Sequence, residues 1–163
     1  MATLPSDDCL EAYRLVAPKW ASSALSGEGA RLYGGRWNSP GRAMVYLSTS
    51  RALAALELLV HLTTPLSRRI PRTLVMVQVP RSLIGGEFWK EAGWRDTPPG
   101  RATTDQGDDW LEAAPTAGVL VPSVLIPAEH NLLLNPAHPD FSQVKITGTS
   151  SFSFDPRLQT PTV

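Results

Sequence analysis

Apolar positions along this chain come in short runs cut by proline and glycine, the pattern of many brief elements joined by turns. Thr73 to Val79 alternates β-branched and apolar residues between Pro71 and Pro80, which predicts a buried strand. Ala43 to Leu47 reads as another apolar strand. Before it, Leu32 to Asn38 reads as extended and Ser39-Pro40-Gly41 as a turn, so a hairpin is expected here. Ser48-Thr49-Ser50 offers N-cap residues to a helix over Arg51 to Leu62, whose leucines fall on all sides and predict burial. Pro65 bars its continuation. Val119 to Ile126 reads as a strand interrupted by Pro122, as at an edge or a bulge, and Val144 to Phe154 as a last strand. Residues 85–110 have no clean period and hold Trp89, Trp94 and Trp110. They read as a long loop or short helices, with the tryptophans serving either a core or a protein interface. The order is mixed α+β without regular βαβ alternation.

Composition narrows the class. A length of 163 residues, with 42% hydrophobic and 18% charged positions, fits one globular domain, residues 1–163, and excludes a disordered chain. A formal net charge of zero argues against binding nucleic acid or an anionic membrane through bulk electrostatics. No apolar run approaches the roughly 18 residues of a membrane helix, and Met1 to Leu10 shows no secretory signal, so a cytoplasmic protein is expected. Cys9 is the only cysteine, which excludes an intrachain disulfide and a zinc site built on paired cysteines. It reads as a small, partly buried apolar residue. His61, His130 and His138 lack metal-ligand spacing, so no metal is expected. P-loop, G-x-G-x-x-G, HExxH and G-x-S-x-G patterns are all missing. The zero total hides a segregation: residues 1–82 hold 10 basic and 5 acidic side chains, and residues 83–163 the reverse.

A polar set is embedded in otherwise apolar elements. Arg36 follows Gly34-Gly35, where missing side chains let a ligand come close to the backbone. Tyr46 sits within Met44-Val45-Tyr46-Leu47, Glu57 on the shoulder of an apolar helical stripe, and Ser123 within an apolar run. Each also has a structural reading. Arg36 and Glu57 can form a salt bridge, Tyr46 can be a core tyrosine, and Ser123 can bond backbone near Pro122. His61, four residues after Glu57, can pair with it.

Taken together, the motifs resemble a known family. Gly35-Arg36-Trp37-Asn38-Ser39-Pro40-Gly41, Val45-Tyr46-Leu47-Ser48 and Ala55-Leu56-Glu57 are similar to the opening half of the RES domain. Val121-Pro122-Ser123, Glu129-His130-Asn131, Asn135 to Phe141 and Phe154 to Leu158 resemble its closing half, so the resemblance runs over about residues 13–158. It implies a single α+β domain with a split, twisted, mostly antiparallel sheet and flanking helices, similar to diphtheria-toxin-like ADP-ribosyltransferases. It also implies the toxin of a bacterial type II toxin–antitoxin pair, one that inhibits bacterial growth and consumes NAD+ as its substrate. The implied partner is an Xre-type helix-turn-helix antitoxin that blocks the cleft beside Arg36 and makes the DNA contacts. A homo-oligomer, or a hetero-oligomer with that antitoxin, is compatible with this reading.

The resemblance assigns the family's Arg to Arg36, its second-strand Tyr to Tyr46, its Glu to Glu57 and its Ser to Ser123, with Gly35 beside the ligand. Glu57 would stabilise an oxocarbenium-like ribose, Arg36 would hold the pyrophosphate and Tyr46 would stack on nicotinamide. Ser123 would bond the carboxamide or a ribose hydroxyl. This set mixes the two usual transferase triads, Arg-Ser-Glu and His-Tyr-Glu, and so leaves the acceptor open. Water, phosphate and a protein side chain are the choices. A nucleotide- or partner-binding module is the non-enzymatic alternative.

Overall fold

The strands β1 (Cys9–Val16), β2 (Val45–Ser48), β3 (Arg72–Pro80), β4 (Ile84–Gly85), β5 (Gly118–Pro122), β6 (His130–Leu134) and β7 (Lys145–Phe152) form one sheet. Their order is β4-β5-β6-β2-β1-β3-β7, antiparallel throughout except for the parallel β4–β5 pair. The helices are α1 (Glu28–Tyr33), α2 (Arg51–Leu59), α3 (Pro65–Arg69), α4 (Arg101–Ala113) and α5 (Pro156–Gln159). This computed structural model describes residues 7–86 and 92–159, so Trp89 lies outside the described residues.

Side-chain alternation gives the sheet two unlike faces. Ala12, Val45, Leu47, Val75, Val77, Leu132 and Leu134 point to one face and form a single apolar layer across both halves of the sheet. On the other face the apolar residues fall into two clusters. Trp37, Met44, Trp110, Val119, Val121 and Leu133 gather under α4, while Tyr13, Ala54 and Leu74 gather under α2.

The gap between those clusters follows from the ladder. β1 runs paired to β3 from Cys9↔Pro80 to Val16↔Thr73, but it meets β2 only at Tyr13↔Ser48. Beyond that pair, Arg14–Val16 and Val45–Leu47 diverge, and a cleft opens in the fork.

Several elements differ from the sequence pattern. The expected hairpin strand at 32–38 is replaced by helix α1 and an isolated Gly35↔Asn38 bridge. Gly27 (φ 70°) and Gly34 (φ 72°) bracket that helix with left-handed backbone, and a Glu28–Arg31 pair at 2.6 Å lies along it. Helix α2 stops at Leu59 and buries only Leu53 and Ala54, leaving Leu56 and Val60 exposed, because a single face rests on β1.

Strand β5 ends at Pro122 and is an interior strand, not an edge or bulge. Proline has no N–H to extend the ladder, and Pro122↔His130 is its last pair. The stretch 85–110, expected as a long loop or short helices, ends within a regular 13-residue helix, α4, which buries Thr103, Gly107 and Trp110. Strands β1 and β6 were not marked by the pattern at all.

Candidate active site

Three local structures aim side chains into the fork. The first is the segment after α1. Tyr46 on β2 donates from its hydroxyl to Asn38 Oδ1 at 2.6 Å and accepts the Trp37 N–H at 3.0 Å. Asn38 Nδ2 in turn reaches the carbonyls of Ala30, Ser39 and Arg42. Burial pushes the Tyr46 phenol far above its ordinary value, so it stays neutral and keeps donating.

Helix α4 clamps the same segment from outside. Asp108 Oδ1 accepts the Ser39 N–H at 3.0 Å, and Gly107 packs so closely that a Cβ there would sit 1.7 Å from the Trp37 carbonyl oxygen. This order fixes the backbone that carries Arg36. Gly35 is explained here too: a Cβ would fall 2.5 Å from the Tyr46 hydroxyl, so the missing side chain makes room for Tyr46.

Arg36 itself is half-buried. Its Nη1 donates to the carbonyls of Trp94 (3.0 Å) and Asp96 (2.8 Å), which leaves Nε and Nη2 without a partner among the described residues. Burial pulls its pKa below the ordinary value, while Glu57 and Asp96 pull it back up. No ion pair joins Arg36 to Glu57 among the described residues; the two share the cleft rather than a contact.

The second structure is α2. Ser50 caps it, accepting the Leu53 N–H at 3.0 Å, and the buried Leu53 and Ala54 turn its inner face to the sheet. Glu57, one turn later, falls on that face. Its Oε1 accepts from Ser123 Oγ at 2.9 Å and from Asn131 Nδ2 at 2.6 Å, and Oε2 accepts no bond among the described residues. His61 does not bond it.

The third is the end of β5 and β6. Ser123 is fully buried, and its Oγ also accepts the Leu125 and Ile126 N–H groups at 3.1 Å each. Its one proton is therefore spent on Glu57. Ser123 thus faces Glu57 and the backbone of the following turn, the backbone bonding that its position near Pro122 suggested.

The cleft holds about 840 Å³ and is lined by Tyr13, Arg14, Arg36, Tyr46, Glu57 and Asn131, among others. Gly35 lines it as well, but Ser123 does not. Arg14 is the cation that the sequence reading missed. Its Nη1 donates to the Ala24 carbonyl at 2.7 Å, and burial lowers its pKa. Cys9–Val16 carries two charged residues, Glu11 and Arg14, and only the fold separates the one that lines the cleft. Asn131 was visible only as part of a motif. The Tyr13 hydroxyl donates to Glu11 Oε2 at 2.7 Å, with the Arg51 guanidinium 4.6 Å from its ring centre.

The arrangement presents one carboxylate oxygen and two guanidinium groups to a partly enclosed space, which suits a ligand carrying phosphates and a centre that becomes cationic. Among the described residues no cluster of three His, Cys, Asp or Glu side chains could hold a metal ion, and no helix is long and apolar enough to cross a membrane.

Comparison with known proteins identifies the family. Residues 11–155 match the RES domain. The chain is 41% identical over 151 residues to a protein named Toxin Res from Yersinia enterocolitica, covering 90% of this chain and 98% of that one. It is also 41% identical over 150 residues to the Prs ADP-ribosylating toxin of a Sphingobium species, covering 87% and 91%. The fold superposes on a chain of the M. tuberculosis MbcT–MbcA toxin–antitoxin complex with a TM-score of 0.68 at 19% identity, covering 93% of this chain and 87% of that one. With nearly its whole length matched by the domain and by these two relatives, the chain belongs to the RES domain family.

Proposed function

We propose that this protein is the toxin of a toxin–antitoxin pair and consumes NAD+ by cleaving the nicotinamide–ribose bond. The observation that carries the reading is Glu57: its carboxylate is gripped through one oxygen while the other is left to a cleft that also holds Arg36 and Arg14. Arg36 Nε and Nη2, with the Arg14 guanidinium, provide donors for a pyrophosphate. The Tyr46 ring lines the cleft at a place where a planar nicotinamide can lie against it.

As the bond between C1′ and the pyridinium nitrogen breaks, its electron pair leaves with nicotinamide, which becomes neutral. The ribose takes on the positive charge. A carboxylate oxygen in a partly dry cleft stabilises that charge, and no strong general acid is needed for the departing base. Water then adds its oxygen to C1′ and loses a proton, giving ADP-ribose.

The test is nicotinamide release by the purified, antitoxin-free chain, with products identified by mass spectrometry. Release that disappears in Glu57→Ala supports the reading; an inert wild-type protein sinks it. Transfer of ADP-ribose to a protein is the second reading, favoured by the name of the Sphingobium relative. A discrete labelled band after incubation with labelled NAD+ and cell extract would select it over degradation to free ADP-ribose or its phosphate.

The partner in this proposal is a cognate antitoxin of the Xre helix-turn-helix type, which closes the cleft with an acidic group or carboxy-terminus against Arg36. Crosslinks that place it far from Arg36 would contradict that placement.

A further inference from the structure

We propose that Asn131 is the positioning residue for Glu57: its amide, turned by Ser48, holds Oε1 and leaves Oε2 as the oxygen that meets the substrate. The inference rests on the NAD+-cleaving reading and assigns a role that the family's Arg, Glu and Ser do not cover.

The polarity of the chain of bonds has one sense. An ionised carboxylate only accepts, so Asn131 must turn Nδ2 toward Glu57, where it stands 2.6 Å from Oε1. Its Oδ1 then faces the other way and requires a donor. Ser48 supplies it, with Oγ 2.7 Å from Asn131 Oδ1. Ser48 is only 4% exposed, so water is a poor substitute.

The spacing is set by backbone. Ser48 and Asn131 are register partners across β2 and β6, and Asn131 is in turn opposite Val121 on β5, two residues before Ser123. Both donors to Glu57 thus come from adjoining strand ends, while Glu57 comes from a helix. With Ser123 alone the carboxylate can swing about a single bond. A second donor arriving on the same oxygen from another strand fixes its plane and keeps Oε2 pointed into the cleft.

The test compares Asn131→Ala, Asn131→Asp and Ser48→Ala in the full chain, measuring kcat and KM for NAD+ by nicotinamide release. Asn131→Ala should lower kcat by about 10–100-fold, the range for groups that orient a reactive side chain, with KM changed less than about twofold. Ser48→Ala should lower kcat in the same direction by a smaller factor. Asn131→Asp places a second carboxylate where a donor is needed, so the acid limb of its pH–rate profile should move upward, and by more than in Asn131→Ala, which loses the donor without adding a charge.

An unchanged kcat in Asn131→Ala overturns the proposal, and so does a raised KM at constant kcat, which would make Asn131 a direct substrate contact. Should Asn131→Ala fail to fold by circular dichroism, Ser48→Ala carries the same criterion. A wild-type protein that releases no nicotinamide removes the underlying reading instead, so the two failures are distinguishable.

Discussion

Ser123 and Glu57 are joined by a hydrogen bond of 2.9 Å in which the serine gives its only proton. The same Oγ accepts two backbone N–H groups from the following turn. Ser123→Ala therefore removes three hydrogen bonds made by one buried side chain, to Glu57, Leu125 and Ile126. We expect a stability loss of about 1–3 kcal/mol in urea unfolding, together with a fall in kcat. A variant of wild-type stability and turnover would show that the serine holds neither the turn nor the carboxylate.

Glu57→Gln should separate chemistry from folding. The glutamine carbonyl can still accept from Ser123 and Asn131, which puts an NH2 group where Oε2 was. The thermal midpoint should stay close to wild type while nicotinamide release falls by about 100-fold or more, as when one charge-stabilising group is lost from a site. A stable and fully active Glu57→Gln would remove the carboxylate from the mechanism.

Arg36→Lys tests the fork of donors. A lysine ammonium can reach the Trp94 and Asp96 carbonyls but cannot also present the remaining planar N–H groups. KM for NAD+ should rise by about tenfold with a smaller change in kcat. Equal KM values for the two proteins would place the pyrophosphate elsewhere.

Gly107→Ala brings a methyl group to 1.7 Å from the Trp37 carbonyl oxygen, a backbone atom that has little freedom to move. Helix α4 must then shift off the segment that carries Arg36. A loss of about 3 kcal/mol or more is expected by urea unfolding, at the severe end for a single substitution. Ala102, exposed only in part on the same helix, tolerates Ala102→Ser with little change.

Alkaline stability reports on Tyr46. Its pKa is raised in the folded protein, so the native state holds the phenol proton more tightly than the unfolded chain does. That stabilisation is complete below the unfolded tyrosine value of about 10 and is lost as pH rises from there toward the folded value. The urea midpoint should fall over that range by more in wild type than in Tyr46→Phe. Tyr13, raised by burial and by its bond to Glu11, contributes in the same direction to both proteins. Parallel curves would mean that the Tyr46 hydroxyl ionises freely.

How much of this was legible before the structure depends on which signal each element carried. β3 was plain because it alternates between Pro71 and Pro80, while β7, KITGTSSF, lies within the expected last strand at 144–154 without any such alternation. Helix α4 was not, since Thr103, Gly107 and Trp110 do have helical spacing but two of them are not apolar types. Gly107 works by being absent, and no hydropathy pattern registers that. α1 was misread because Leu32 and Tyr33 look like core residues, whereas both are exposed on a two-turn helix.

Within the site, Arg36, Tyr46, Glu57 and Ser123 stood out as polar residues in apolar settings, and the fold brings them to one region. Their division of labour was not legible. That Ser123 faces Glu57 rather than the cleft depends on a turn following β5, and Arg14 and Asn131 depend on register across strands far apart in sequence.

The fork between β1 and β2 also bears on how such a protein changes over generations. Behind the cleft one apolar layer spans both halves of the sheet; in front, each half has its own cluster, and the ladder joins them through Tyr13↔Ser48 alone. Neither wall needs rebuilding to alter the width or lining of the opening. Substitutions in α2 and in residues 92–99, which border the opening, retune it while the strands stay as they are. The scaffold can hold still while the opening it frames changes.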